Sequence, residues 1–281
     1  MNVVEYAREA AELFVLPDTV TSLRAVIDDE QSTVEDIARL ITFDPTLAGQ
    51  LLKLANSAMY KFPNRIDTIS KAIQIIGTKS LYDLAVSYGV AKTFSSVKAN
   101  IVDLDKFWEQ SLSCALLGKH IAESKTVCRP ERMFVAGLLH NIGELAMVQI
   151  HPEMASQCAA INKNTTPRAM QQTLCGFTFA KLSAEIMTAW GLPDPLIDLV
   201  CRVHHKLFPA EDMDVQIMQL AYVLALDNVN QEVYQPYANL QPFLNECLKL
   251  DDDDIEIALD TTNLQCINVI SMFNPSAFMV Y

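Results

Sequence analysis

Apolar residues recur three and four positions apart along most of this chain, and that period suits helices and excludes half-buried strands. Val34, Ile37, Ala38 and Ile41 follow it, as do Ile69, Ala72, Ile73 and Ile76, and Leu47, Leu51, Leu54, Ala55 and Ala58 make a third stripe. A stripe of this kind covers one face of a helix and has to be buried against another element. Only 8 glycines occur, and no hairpin dipeptide separates two alternating runs, so no strand is predicted anywhere. The expected fold is all-α.

Local signals mark where helices begin and end. Ser32 and Glu35 stand at capping-box spacing before the first stripe. Asp44-Pro45 reads as an N-cap followed by proline at the first helical position. Gly77 and Gly191 each follow an apolar segment and suit a left-handed C-cap, with Pro193 and Pro195 punctuating the chain beyond the second. These lengths predict two packed helical bundles. Residues 1–95 form an N-terminal helical subdomain that ends at a polar stretch, Thr93 to Asn100. Residues 96–227 form a second, and 228–281 a C-terminal helical extension. The acidic run Asp251 to Asp254 reads as a solvated helix N-terminus, where carboxylates complement the macrodipole.

The 281 residues carry a formal net charge of -13. A field of that sign repels nucleic acid unless a basic patch overrides it, and Arg129 and Arg132 are interrupted by Glu131. Nucleic acid is therefore not an expected partner. The N-terminus lacks a basic segment leading into an apolar one, and no apolar run is read as reaching the ~20 residues that span a bilayer. Seven cysteines, with no CxxC pair, read as reduced and mostly buried. Together these predict a soluble cytoplasmic protein. No P-loop, dinucleotide-binding, nucleophile-elbow or HExxH motif is present.

Chemistry concentrates in two places. The segment Gly137-Leu-Leu-His140-Asn141-Ile-Gly143-Glu144 sets a polar pair inside an apolar helical stretch, and buried polar groups need hydrogen-bond partners. His204 and His205 lie near the end of the helix that starts around Pro195. His140 reads as a buried histidine bonded to a neighbouring helix, and Asn141 as a cap or cross-link through its amide. Adjacent histidines on a helix point about 100° apart, so His204 and His205 do not easily face one site.

Gly137-Leu-Leu-His140-Asn141-Ile-Gly143 resembles the GLLHDIGK motif of HD-superfamily metal-dependent phosphohydrolases. Leu16-Pro17, Asp44-Pro45, Leu54-Ala55-Asn56-Ser57-Ala58-Met59-Tyr60, Ile69 to Gly77 and Ala189-Trp190-Gly191-Leu192-Pro193 followed by His204-His205 narrow the resemblance to the HDOD family, HD-related output domains. The likeness implies that the second bundle is built like an HD-domain phosphohydrolase. It also implies ligand positions, at which this chain departs from HD enzymes. Gln110 stands where histidine is usual, Asn141 where the catalytic aspartate is, Phe179 where many relatives carry histidine, and Tyr222 where aspartate is expected. A neutral amide or a phenyl ring does not replace a carboxylate or imidazole on a divalent cation.

The resemblance thus implies a non-catalytic bacterial signal-transduction module, with no metal and no cofactor. Such a module acts through a protein partner, a small ligand or self-association, with His140, Asn141, His204 and His205 as candidate ligand contacts. The alternative is a metal-dependent phosphohydrolase or phosphodiesterase with an altered ligand set.

Overall fold

The computed structural model describes the chain except residues 58, 61, 96, 98–100, 126–128, 160–164, 205–211, 231–245 and 274–281, and the side chains of 268 and 271–273. The described residues hold fifteen helices of eight residues or more and no β-strand. They divide into two compact units, one of Met1–Phe14 with Ser96–Cys266 and one of Val15–Ser95 with Ile267–Tyr281.

The smaller unit packs α2 (Asp18–Asp28), α3 (Val34–Thr42), α4 (Pro45–Ala55), α5 (Ile69–Ile76) and α6 (Thr78–Phe94) around Leu23, Ile41, Leu47, Leu51, Leu81 and Leu84. Burying such a side chain contributes ~1.5–3 kcal/mol, which is why the stripes rather than helix propensity fix these elements. Helix α3 starts one residue later than Ser32 predicts. Thr33 is the N-cap, and its side chain and that of Asp36 satisfy each other's backbone N–H. Asp44 caps α4 through the N–H groups of Thr46 and Leu47, with Pro45 at the first position as expected. Gly77 takes φ 86 and ψ 154, an extended glycine conformation in place of the expected left-handed cap, while Gly191 has φ 65. Asn56 closes the loop after α4: its amide donates to Ile66 O (2.7 Å) and Leu52 O (2.7 Å), and its Oδ1 accepts from Ile66 N–H (2.8 Å).

The larger unit is built on α7 (Leu104–Lys125), which packs along α8 (Pro130–Leu139) and α14 (Met213–Val229). Arg132 of α8 pairs with Asp214 of α14. A second layer comprises α9 (Ile142–Ile150), α10 (Pro152–Ala159), α11 (Pro167–Cys175), α12 (Phe179–Ala189) and α13 (Asp194–Arg202). The first helix, α1 (Val3–Leu13), packs on α12 and α9 of this unit. Expected boundaries of 1–95 and 96–227 therefore differ from the observed units at both ends. Residues 1–14 go with the later helices because Ala7 and Ala10 are buried there, and Trp190 Nε1 donates to Phe14 O (2.9 Å). The helix α15 (Asp252–Phe273) also begins in this unit, burying Ile255, Thr262 and Gln265. Its acidic run lies at its N-terminus, as the sequence predicts, with Asp251 accepting from Asp254 N–H (2.9 Å).

Two glycines of the Gly137–Gly143 segment set the packing. A Cβ on Gly137 would stand 2.5 Å from the backbone of Ala115, so α7 and α8 approach this closely only with glycine there. A Cβ on Gly143 would stand 2.4 Å from Phe179 O, which fixes α9 against α12 in the same way. Ser183 joins the two: its Oγ accepts from Gly143 N–H (2.9 Å) and lies 2.9 Å from the carbonyls of His140 and Phe179. The stretch Pro130–Ile150 corrects the reading that no run is long and apolar enough to span a membrane. It passes on length and composition, with mean hydropathy 1.4, but the helix breaks at His140–Asn141 and 83% of the window is buried within the fold.

Candidate functional site

The break between α8 and α9 positions the site. His140 ends α8 and Asn141 precedes α9, so the pair sits at a corner between helices, with His140 fully buried and Asn141 8% exposed. Beside that corner the larger unit forms a partly open cavity of about 280 Å³. Gln110 of α7, Asn141, Phe179 at the start of α12 and Tyr222 of α14 all line it. Four positions from four parts of the sequence, each singled out as a replaced ligand, thus converge on one space.

His140 stands behind this wall. Its Nδ1 lies 2.6 Å from Gly137 O, and because a carbonyl only accepts, Nδ1 carries the proton. Burial pushes its pKa down to about 4, so the ring is neutral near pH 7 and Nε2 keeps its lone pair, with no hydrogen-bond partner among the described residues. This corrects the expected bond to a neighbouring helix: the partner is a carbonyl of the same helix. The rings of His140 and Tyr222 meet edge-on at 5.4 Å between centroids, and His204 packs on Tyr222 at 4.6 Å. His204 is 5% exposed and lies just beyond α13, 6.4 Å from His140. His205 lies outside the described residues.

Glu144 is the residue that sequence reasoning undervalued. It lines the cavity one turn after Asn141, whose Nδ2 donates to its Oε2. Burial raises the Glu144 carboxyl to about 7, and the Asn141 amide opposes that rise by favouring the charged form. Asn141 was expected to cap or cross-link helices, but it makes no side-chain cap and instead serves this carboxylate. The three-residue spacing of Asn141 and Glu144 at a helix start was visible in the sequence. Nothing there placed it beside Gln110 and Tyr222.

Other groups complete the enclosure. Gln171 of α11 is 4% exposed and accepts Phe179 N–H through Oε1 (2.8 Å), which leaves its NH₂ as a donor at the cavity. Asp103 and Lys106 stand exposed at the edge, where Asp103 caps α7 through the N–H groups of Asp105 and Lys106. Aromatic surface comes from Phe107, Phe179 and Tyr222. Among the described residues, no three His, Cys, Asp or Glu side chains stand close enough to hold a metal ion.

The fold is all-helical, with a buried polar corner at His140–Asn141 beside a cavity. A family model described as HDOD domain matches residues 13–206, and the chain belongs to the HDOD family. It is similar to an uncharacterized protein of Treponema pallidum (strain Nichols), at 27% identity over 195 residues, or 68% of this chain and 37% of the relative. The chain thus spans little more than a third of the curated relative it matches. Among solved structures it resembles an HDOD domain protein with unknown function from Geobacter sulfurreducens, with TM-score 0.71 at 19% identity, covering 99% of this chain and 98% of that one. It also resembles a Shewanella amazonensis SB2B protein provisionally named a phosphohydrolase, with TM-score 0.72 at 23% identity, covering 95% and 96%. At these identities the likeness is one of fold.

Proposed function

We propose that this chain is a non-catalytic cytoplasmic regulatory module that works by binding a small polar ligand in the cavity beside Asn141 and passing the bound state to a protein partner. The observation that carries this reading is the convergence of Gln110, Asn141, Phe179 and Tyr222 on one cavity. Those residues do not fit a divalent cation. Two amides, a phenyl and a phenol supply no anionic ligand, and the Glu144 carboxylate is already engaged by Asn141. They do suit a planar, uncharged group. Aromatic faces offer stacking surface, and Gln110, the Oδ1 of Asn141 and the NH₂ of Gln171 offer hydrogen bonds. A volume of about 280 Å³ is at the small end of ligand sites and matches a nucleobase-sized group.

The test is calorimetric titration of the full chain with nucleobases, nucleosides and nucleotides, alongside metal analysis of protein purified without chelator. Saturable heat from one class, abolished in Gln110→Ala, supports the reading. No heat from any of them overturns the nucleobase version. Stoichiometric zinc, iron or manganese together with hydrolysis of a generic phosphodiester overturns the reading as a whole and establishes the metal-dependent hydrolase in its place. His140 is the feature that favours that second reading, since a neutral Nε2 with no hydrogen-bond partner among the described residues is a ligand-competent atom.

A further inference from the structure

The thiols of Cys158 and Cys175 lie 3.7 Å apart, sulfur to sulfur, where α10 meets α11. The six described cysteines are unbridged, and Cys128 lies outside the described residues. This pair has three properties that buried structural cysteines lack. The sulfurs are in contact, 3.7 Å apart, so reaching the ~2.05 Å of a disulfide bond takes an approach of roughly 1.7 Å. The two differ in access: Cys175 is partly exposed at the last turn of α11, while Cys158 is 2% exposed and forms part of the cavity wall. They also differ in acidity. The hydrogen bond from Cys158 lowers the Cys175 pKa, whereas Cys158 is raised by that same bond and by burial.

We propose that Cys158 and Cys175 are a redox-modification site, a dithiol that a peroxide converts to an intramolecular disulfide across the α10–α11 contact. The more accessible Cys175 thiolate attacks the peroxide oxygen, so that an S–O bond forms, the O–O bond breaks and hydroxide leaves. Cys158 sulfur then attacks the Cys175 sulfenic acid. The S–S bond forms, the S–O bond breaks, and the departing hydroxide takes the Cys158 proton as water. Two thiols and one hydrogen peroxide give one disulfide and two waters, each sulfur losing one electron and the peroxide gaining both. The bridge closes in the wall of the cavity and fixes α10, which carries Cys158, to α11, which carries Gln171.

Reduced full-length protein treated with one equivalent of hydrogen peroxide tests this by peptide mapping without reductant. The expected result is a single joined peptide pair containing Cys158 and Cys175, a loss of two titratable thiols per chain, and full reversal by dithiothreitol. Cys158→Ser should leave Cys175 as a sulfenic acid that dimedone traps, and Cys175→Ser should leave Cys158 in the alkylatable thiol form. Joined peptides between other cysteines, cross-links between chains, or alkylation of Cys158 and Cys175 at untreated levels would each overturn the proposal. The readout is independent of whether any ligand enters the cavity.

Discussion

The Asn141 side-chain amide donates to the Glu144 carboxylate across the first turn of α9, a polar contact held at the corner between α8 and α9. An aspartate at 141 would put two carboxylates together in a partly buried corner. Asn141→Asp is therefore expected to cost about 1–3 kcal/mol above pH 7 through repulsion and the lost donor, and to recover most of that in acid, where one carboxyl is protonated. Urea denaturation at two pH values checks this. Equal loss at both would mean the amide acts by shape alone.

His140 and Glu144 give the fold opposing pH dependences. Burial holds His140 at about 4 against its ordinary 6.5, so the folded chain binds fewer protons than the unfolded one over that window and gains stability as pH rises through it. Glu144 is lifted from 4.5 to about 7, so the folded chain binds more protons there and loses stability as pH rises. Between about 4.5 and 6.5 the two slopes offset. Glu144→Gln should unmask the rising one, gaining on the order of 2 kcal/mol relative to wild type across that window. A variant whose stability profile stays parallel to wild type would contradict the assignment.

Glycines in this chain are not equivalent. Gly137→Ala and Gly143→Ala each drive a methyl into backbone at 2.5 Å and 2.4 Å, and each is expected to cost about 3 kcal/mol or to prevent accumulation of folded protein. Gly49, within α4, has open space around it, with nothing within 4 Å of where a Cβ would stand. Gly49→Ala should instead stabilise by up to ~1 kcal/mol through helix propensity. Thermal melts of the three variants decide the matter by sign.

Asn56 pairs through both atoms of its amide with the backbone of Ile66, as a neighbouring strand would. Asn56→Ala leaves both Ile66 groups without these partners and should cost about 2 kcal/mol. Asn56→Asp keeps the acceptor, loses the donors and should fall between. Native-state hydrogen exchange at Ile66 N–H reads the bond directly, and unchanged protection in the alanine variant would show that another group satisfies it.

Most helices were legible because an apolar stripe and a cap are both local signals. Thr33 displaced Ser32 because the run Ser32-Thr33-Val34-Glu35-Asp36 contains two overlapping capping boxes, and side-chain spacing does not choose between them. The partners of α1 were illegible for a different reason: its stripe shows that it must be buried, and not against which helix. The same limit applied to the site. The polar pair His140–Asn141 could be read from one segment, but the break between helices there could not, and Glu144 and Gln171 became site residues only when separate helices met. Cys158 and Cys175, seventeen positions apart, are joined by the α10–α11 packing and by no motif.

The larger unit takes its first helix from one end of the chain and the rest from beyond residue 95. A chain is made from its N-terminus, so α1 leaves the ribosome long before α9 and α12, against which it packs, exist. Helices α2 to α6 of the smaller unit are meanwhile contiguous from Asp18 to Phe94 and have one another at hand, although that unit also takes the end of α15, from Ile267 onward. Order of synthesis therefore favours α2 to α6 as the first helices to pack, and each unit is complete only when a segment distant in the chain is gathered in.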